Sequence, residues 1–413
     1  MRRGGIGLWR RALRSVANGG FAAKLRRRLL LLRPVCRLLA HFAQRRPVDP
    51  GKVVFASLSG DVSCNPKYIA MELLRRRGDL DVVWLVEGGP AASGLPRGAR
   101  AVPLWSLAAV REMATAKVLV ENAQQMFLFN AASKRQGQTY LDTWHGSLGI
   151  KRLSTASRRV RETAERLSSA VDAVLTNSAF EEEVFAESLF PRTRMLRLGH
   201  ARNDVFFWPE ERKAPLRARV RAAAGLAEGE RLALYAPTFR ESSFFTGAGG
   251  LRFGEWARAF ADRFGGAWKI AVRLHPHDAR GLAEGLFSLP ADVLDLSSYD
   301  DVQELLVASD ACVTDYSSLR FDYLLGGGPG FVFAPDKAKY DAGRGFCYPL
   351  EETPFPIAES EEALCANVRA FDSARYAARR EGFLEARGCM EDGHASERAA
   401  DLVEKALSGG EVL

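Results

Sequence analysis

The sequence predicts an α/β protein built as two Rossmann-like lobes, each a parallel sheet covered by helices, facing one cleft behind a basic amphipathic N-terminal segment. Three observations predict it. From residue 52 onward, short β-rich runs alternate with stretches of helical apolar spacing, the pattern of parallel strands joined by crossover helices. A polar, alanine-rich, charged break at 207–229 divides that alternation into two series. Polar residues of both series fall at or just past strand carboxyl ends, the edge where open parallel sheets bind ligands.

The N-terminal head carries the charge. Residues 1–46 hold thirteen Lys/Arg and no Asp or Glu, so the remainder has 45 basic against 50 acidic residues, and the +8 of the whole chain is local. Its longest apolar run, Leu29 to Leu32, is far short of the ~20 residues a transmembrane helix needs. Arginines interrupt the apolar stretch and no small-residue cleavage site follows, so a signal peptide is not expected. As a helix, Leu25, Leu29, Leu32, Cys36 and Leu39 share one side, and Pro34 kinks or divides it. This composition suits the headgroup layer of an anionic membrane; a solvated tail or a helix packed on the body are the other readings. A nucleic-acid arm is disfavoured, since interleaved aromatics are scarce and no binding motif accompanies the basic run.

The first series of strands is KVVFASL (52–58), DVVWLVE (81–87), AKVLVEN (116–122), TYLDTW (139–144), DAVLTNS (172–178) and MLRLGH (195–200). The second is RLALYAPTF (231–239), WKIAVRLHP (268–276), DVLDLSS (292–298), DACVTDYSS (310–318) and GFVFAP (330–335). Helical spacing marks 64–77, 103–115, 157–170, 255–264 and 300–308. With 413 residues there is material for two cores, and the expected divisions are 1–48, 49–206, 207–388 and a C-terminal helix at 389–413. Six scattered cysteines without a CxxC pair indicate neither a zinc site nor a disulfide framework, and no cofactor is expected.

Asn122, His145, Asn177, Thr238, His275 and Asp315 are the strand-end polar residues. In TDYSS, Ser317 or Ser318 can cap a helix or offer hydrogen bonds to phosphate, and Asp322 can accept from a ligand hydroxyl or pair with an arginine. In RLHPHD, Arg273 and His275 alternate about Leu274, and a guanidinium with a histidine suits a pyrophosphate. His275 and His277 have an H-x-H spacing, but no third metal ligand accompanies them. Thr238 and Arg240 follow the strand in YAPTFRES, and GHARND has turn chemistry at Asn203 and Asp204. His145, between Trp144 and Gly146, is either a packed strand-end residue or a general base working near neutral pH.

The ordered series TWHGS…K, TNSAFEEEVF, GHARND, LYAPTFRE, RLHPHD, YDDVQELLVASDACVTDYSSLRFDYLL and DGHASER resembles the CDP-glycerol glycerophosphotransferases of teichoic-acid and capsule synthesis, over roughly 115–405. The resemblance implies a GT-B fold with an acceptor-side N-terminal lobe and a nucleotide-side C-terminal lobe. It implies transfer of glycerol phosphate from CDP-glycerol to a hydroxyl of a lipid-linked or polymeric glycan acceptor, with release of CMP. By the same resemblance, His145 is the general base and His275 and Arg273 contact the pyrophosphate. Ser317, Ser318 and Asp322 hold phosphate and ribose, and Thr238 and Arg240 line the donor pocket; Asp315 and Asn177 are expected as further substrate contacts from their strand-end positions. The chain departs from the family pattern at Ser147-Leu148, Ala201, Gly328 and His394. The last two each replace a lysine, which admits another CDP-polyol such as CDP-ribitol. The expected location is the cytoplasmic face of the bacterial membrane, held peripherally by the basic head. Competing readings are a GT-B glycosyltransferase using a nucleotide sugar and a non-catalytic, membrane-bound nucleotide-binding module.

Overall fold

Thirteen strands form two all-parallel sheets in the computed structural model, which describes residues 38–39, 41–58, 60–87, 94–122, 134–149, 151–152, 158–238 and 250–410. The first sheet contains β1 (Asp49–Ala56), β2 (Asp81–Val86), β3 (Arg100–Pro103), β4 (Ala116–Glu121), β5 (Thr139–Asp142), β6 (Ala173–Thr176) and β7 (Arg194–Arg197), in the order β3-β2-β1-β4-β5-β6-β7. The second contains β8 (Arg231–Ala236), β9 (Trp268–Val272), β10 (Leu294–Asp295), β11 (Ala311–Thr314), β12 (Gly330–Phe333) and β13 (Ile357–Ala358), in the order β10-β9-β8-β11-β12-β13. Each is doubly wound, and its order reverses between the first and fourth strands of the lobe, where a ligand crevice opens.

The central strands are buried on both faces, which is why they read as continuous apolar runs rather than alternating ones. Helix Cys64–Arg76 covers one face of the first sheet with Tyr68, Ile69 and Leu73, and helix Leu107–Thr115 covers the other with Val110 and Met113. In the second lobe Trp256 and Phe260 of helix Phe253–Phe264 pack on Tyr235, Ile270 and Phe331. Two short strands missing from the expected series, β3 and β13, lie at the outer edges of their sheets.

The lobes are joined by more than a linker. One continuous core runs from Val53, Leu73 and Trp84 through Phe206, Leu216 and Val220 to Leu232, Leu305 and Cys312. The break at 207–229 contains helix Glu210–Ala223, whose buried Leu216 and Val220 belong to that core. The last helix, Ala395–Leu407, returns to the N-terminal lobe, burying Ala399, Val403 and Ala406 there, and Arg76 pairs with Asp401.

Asp204 fixes that return. Its carboxylate accepts the backbone N–H groups of Ala395 (2.9 Å) and Ser396 (2.6 Å), capping a helix 191 residues away in sequence. Asp204→Ala should therefore lower the unfolding free energy by about 1–2 kcal/mol, read as a shifted urea midpoint at unchanged slope.

The head expected to lie on a membrane falls almost entirely outside the described residues. Within 38–46, Leu39 and Ala43 pack against the first sheet, while Leu38 and Phe42 are exposed. Among the described residues no helix is long and apolar enough to cross a membrane.

Candidate active site

β5 ends at Asp142, and the chain turns sharply to present His145. Trp144 and Leu148 sit at φ +51° and +43°, left-handed conformations that cost non-glycine residues energy and persist only where their surroundings over-determine them. The surroundings here do. Asp142 Oδ1 accepts the Trp144 N–H at 2.7 Å, and Asn65 Nδ2 donates to the carbonyls of Thr143 (2.7 Å) and Trp144 (3.1 Å). Gly146 is required by close approach, because a Cβ there would meet the Trp144 indole nitrogen at 2.8 Å.

His145 Nδ1 lies 2.7 Å from the backbone carbonyl of Asn122, at the end of β4. A carbonyl only accepts, so Nδ1 carries the hydrogen and Nε2 is left with a lone pair. Burial lowers the pKa of His145; the bond to Asn122 works against that, and Arg202 and His200 add to the lowering. The ring is thus a neutral base with a fixed tautomer, its centroid 4.4 Å from that of Trp144 and the two rings tilted by 30°.

His145 opens into a cleft of about 600 Å³ between the lobes. The opposite wall comes from strand ends of the second sheet: Thr238 after β8, Arg273 and His275 after β9, and Ser317 and Ser318 after β11. β9 stops at Val272, one residue before Arg273, so both Arg273 and His275 belong to the loop that follows it. The Arg273 guanidinium donates to the carbonyls of Tyr299 and Leu296, which anchors the loop before helix Val302–Ala308. Ser318 occupies the cap position of helix Leu319–Leu325 without a side-chain capping bond, and its hydroxyl would lie 3.9 Å from a Cβ on Gly146. The two lobes therefore meet at the histidine turn and the Ser317-Ser318 segment. A larger cavity of about 1010 Å³ shares Asp300 and Asp301 with this cleft but is lined by none of these six residues.

Other expected ligands are placed differently. Asp315 is 1% exposed, and its carboxylate accepts the N–H of Thr238 (2.9 and 3.1 Å), the Thr238 hydroxyl (3.0 Å) and the N–H of Tyr316 (2.6 Å). It joins the ends of β8 and β11 beneath the cleft. Asn177 is fully buried; its amide donates to Ser147 Oγ and Glu391 Oε1, each at 2.8 Å, bracing the histidine turn from below. Asp322 borders the cleft, but its carboxylate is held by Arg202 (3.0 and 3.1 Å) and Gln303 (3.1 Å), so of its two readings the pairing with arginine is the one observed. Arg240 lies outside the described residues. Gly328 lies beside Tyr323 and His394 beside Glu397, and neither lines the cleft.

Sequence reasoning did not single out Arg202, Asn65 or Gln303. All three are buried at the lobe junction, and GHARND was legible only as turn chemistry. Nothing in ARNDVF marks the arginine as buried; the structure does, with Ala201 to Phe206 at most 8% exposed, and such a charge needs a partner. Among the described residues, no group of three His, Cys, Asp or Glu is placed to hold a metal ion.

A family model described as CDP-Glycerol:Poly(glycerophosphate) glycerophosphotransferase matches residues 38–405. The teichoic acid poly(glycerol phosphate) polymerase of Staphylococcus epidermidis is 28% identical over 375 residues, 87% of this chain and 51% of that protein. The chain thus spans about half the length of that curated relative. The teichoic acid glycerol-phosphate transferase of Staphylococcus aureus is 26% identical over 376 residues, 86% of this chain and 92% of that one. The solved structure of the wall teichoic acid polymerase TagF is similar with a TM-score of 0.78 at 26% identity, covering 98% of both chains. With the family model matched across both lobes and the cleft between them, the chain belongs to the CDP-glycerol:poly(glycerophosphate) glycerophosphotransferase family.

Proposed function

We propose that the protein transfers glycerol phosphate, or a related polyol phosphate, from a CDP-polyol to a hydroxyl of a lipid-linked or polymeric glycan acceptor. The observation that carries this is the placement of His145, a neutral base with Nε2 free of its anchoring bond, across one cleft from Arg273, His275, Ser317 and Ser318. Nε2 takes the proton of the acceptor hydroxyl as that oxygen bonds to the β-phosphorus. The bond from the β-phosphorus to the bridging oxygen breaks, and its electron pair leaves with CMP. Arg273, His275 and the two serine hydroxyls hold the phosphate oxygens while charge moves onto the leaving group. Relatives named for glycerol-phosphate transfer and polymerisation support this reaction class. Nucleotide release, as CMP from CDP-glycerol or CDP-ribitol and as the nucleoside diphosphate from a nucleotide sugar, each measured with and without acceptor, tests it. Acceptor-dependent CMP release is expected from a CDP-polyol, whereas activity with the nucleotide sugar alone would overturn the reading in favour of a glycosyltransferase.

The basic head at 1–48 supports peripheral attachment to the cytoplasmic leaflet, where a lipid-linked acceptor is presented; each Lys/Arg near an anionic surface contributes about 1 kcal/mol. Deleting residues 1–46 should abolish cosedimentation with anionic vesicles, and unchanged binding would sink the assignment.

A further inference from the structure

We propose that Arg202 is a positioning residue that holds the His145 turn in register with the Ser317-Ser318 segment, making the Arg202–Asp322 pair a strut between base and donor site. The inference rests on the reading of His145 as the base and names what sets its position.

Arg202 lies in the 3-10 turn Ala201–Phe206 and is 2% exposed. Its Nε and one terminal nitrogen form a fork on Asp322, at 3.0 and 3.1 Å, and that terminal nitrogen also donates to the carbonyl of Gly146 at 2.8 Å. Asp322 sits in the helix that begins after Ser318, and Gly146 follows His145 directly. One guanidinium therefore bonds both sides of the cleft. Its own backbone N–H donates to Asn65 Oδ1 at 3.1 Å, and the Asn65 amide holds the carbonyls of Thr143 and Trp144. Three carbonyls of the strained turn are thus fixed from outside it, two by Asn65 and one by Arg202. Gln303 closes the far side, donating to Asp322 (3.1 Å) and Asn203 (3.0 Å). A lysine cannot replace this arrangement, because a single ammonium lacks the planar fork that reaches a carboxylate and a carbonyl together.

The strut also carries charge. Around His145 stand Arg202 and His200 from the turn at 200–206, Asp322 from the following lobe, Asp61 ahead of helix Cys64–Arg76 and Cys64 at its first position, and Lys151 of its own loop. Arg273 and His275 face it across the cleft. Arg202 disfavours the protonated imidazole, so its removal leaves Asp322 unneutralised and raises the His145 pKa.

The test measures CMP release from CDP-glycerol with acceptor, using the full chain on anionic vesicles, as a function of pH, together with calorimetric CDP-glycerol binding. Arg202→Gln is expected to lower kcat by about a hundredfold, the scale of a small misplacement of reacting groups, and to move the acid limb of the profile upward. Arg202→Lys should lower kcat while leaving the limb in place. The doubly neutral Arg202→Gln/Asp322→Asn should lower kcat with a smaller limb shift, and it carries the test if the single variant fails to fold. CDP-glycerol affinity should stay near wild type in Arg202→Gln and Arg202→Lys. Wild-type kcat and limb in Arg202→Gln, or a loss confined to CDP-glycerol binding, would overturn the proposal. His145→Ala run alongside separates the levels: if it turns over normally, both readings fall. If it is inactive while Arg202→Gln is normal, only the strut falls.

Discussion

Replacing His145 with alanine should reduce acceptor-dependent CMP release by about a hundredfold to ten-thousandfold, the range for losing a positioned general base, with little change in donor affinity or fold. The geometry explains why the loss is selective. The ring gives one hydrogen bond to Asn122 and one tilted ring contact to Trp144, while the backbone of its turn is held independently by Asp142, Asn65 and Arg202. Deleting the imidazole therefore removes the base but not the turn. The pH profile gives a second reading of the same residue. A base works in its neutral form, and burial moves the pKa of His145 below the ordinary 6.5. The acid limb of kcat/KM should accordingly lie below pH 6.5, with activity sustained between that limb and neutrality. Circular dichroism and calorimetric CDP-glycerol binding check that the variant is folded and still binds donor. Turnover within a few-fold of wild type would remove His145 from the mechanism.

The sheets were legible because parallel strands buried on both faces are written as unbroken apolar runs, as in KVVFASL and DACVT. β3 and β13 were not, because each has only two apolar residues beside a proline (RAVP, PIA), whereas the equally short edge strands β7 and β10 stand within the longer apolar stretches MLRL and DVLDL. The cleft was legible by position: His145, Thr238, Arg273, His275, Ser317 and Ser318 all follow strand carboxyl ends and all line it. That rule selects an edge of a sheet, however, not the direction of a side chain. Asn122, Asn177 and Asp315 satisfy it equally, yet Asn177 and Asp315 turn inward to hold Ser147 and Thr238, and Asn122 contributes a carbonyl. Pairings across lobes, such as Arg202 with Asp322 over 120 residues, depend on how the two sheets face each other, which no local pattern encodes.

Asp315→Ala should cost about 3 kcal/mol or more of stability, and donor binding should fail with it. Three donors converge on this carboxylate: the Thr238 N–H, the Thr238 hydroxyl and the Tyr316 N–H. Alanine leaves all of them without that acceptor in a site with 1% exposure, and an abandoned buried donor costs about 1–3 kcal/mol. The damage is placed where it matters, because β8 and β11 are the neighbours between which the order of the second sheet reverses. Pro237-Thr238 and Ser317-Ser318 leave those strand ends for the cleft, and Asp315 is the side chain that fastens one to the other. Asn at 315 keeps one acceptor oxygen, and the Thr238 hydroxyl can rotate to accept from the new amide; about 1 kcal/mol is expected. Urea denaturation distinguishes the outcomes. A lowered midpoint for Asp315→Ala with a near-normal Asp315→Asn identifies a clamp beneath the donor wall. An unchanged midpoint with lost CDP-glycerol binding would instead make the carboxylate a ligand, as its place at a strand end first implied. Since the carboxylate lies within hydrogen-bonding distance of three protein donors, the clamp is the arrangement that accounts for an acid kept so thoroughly out of water.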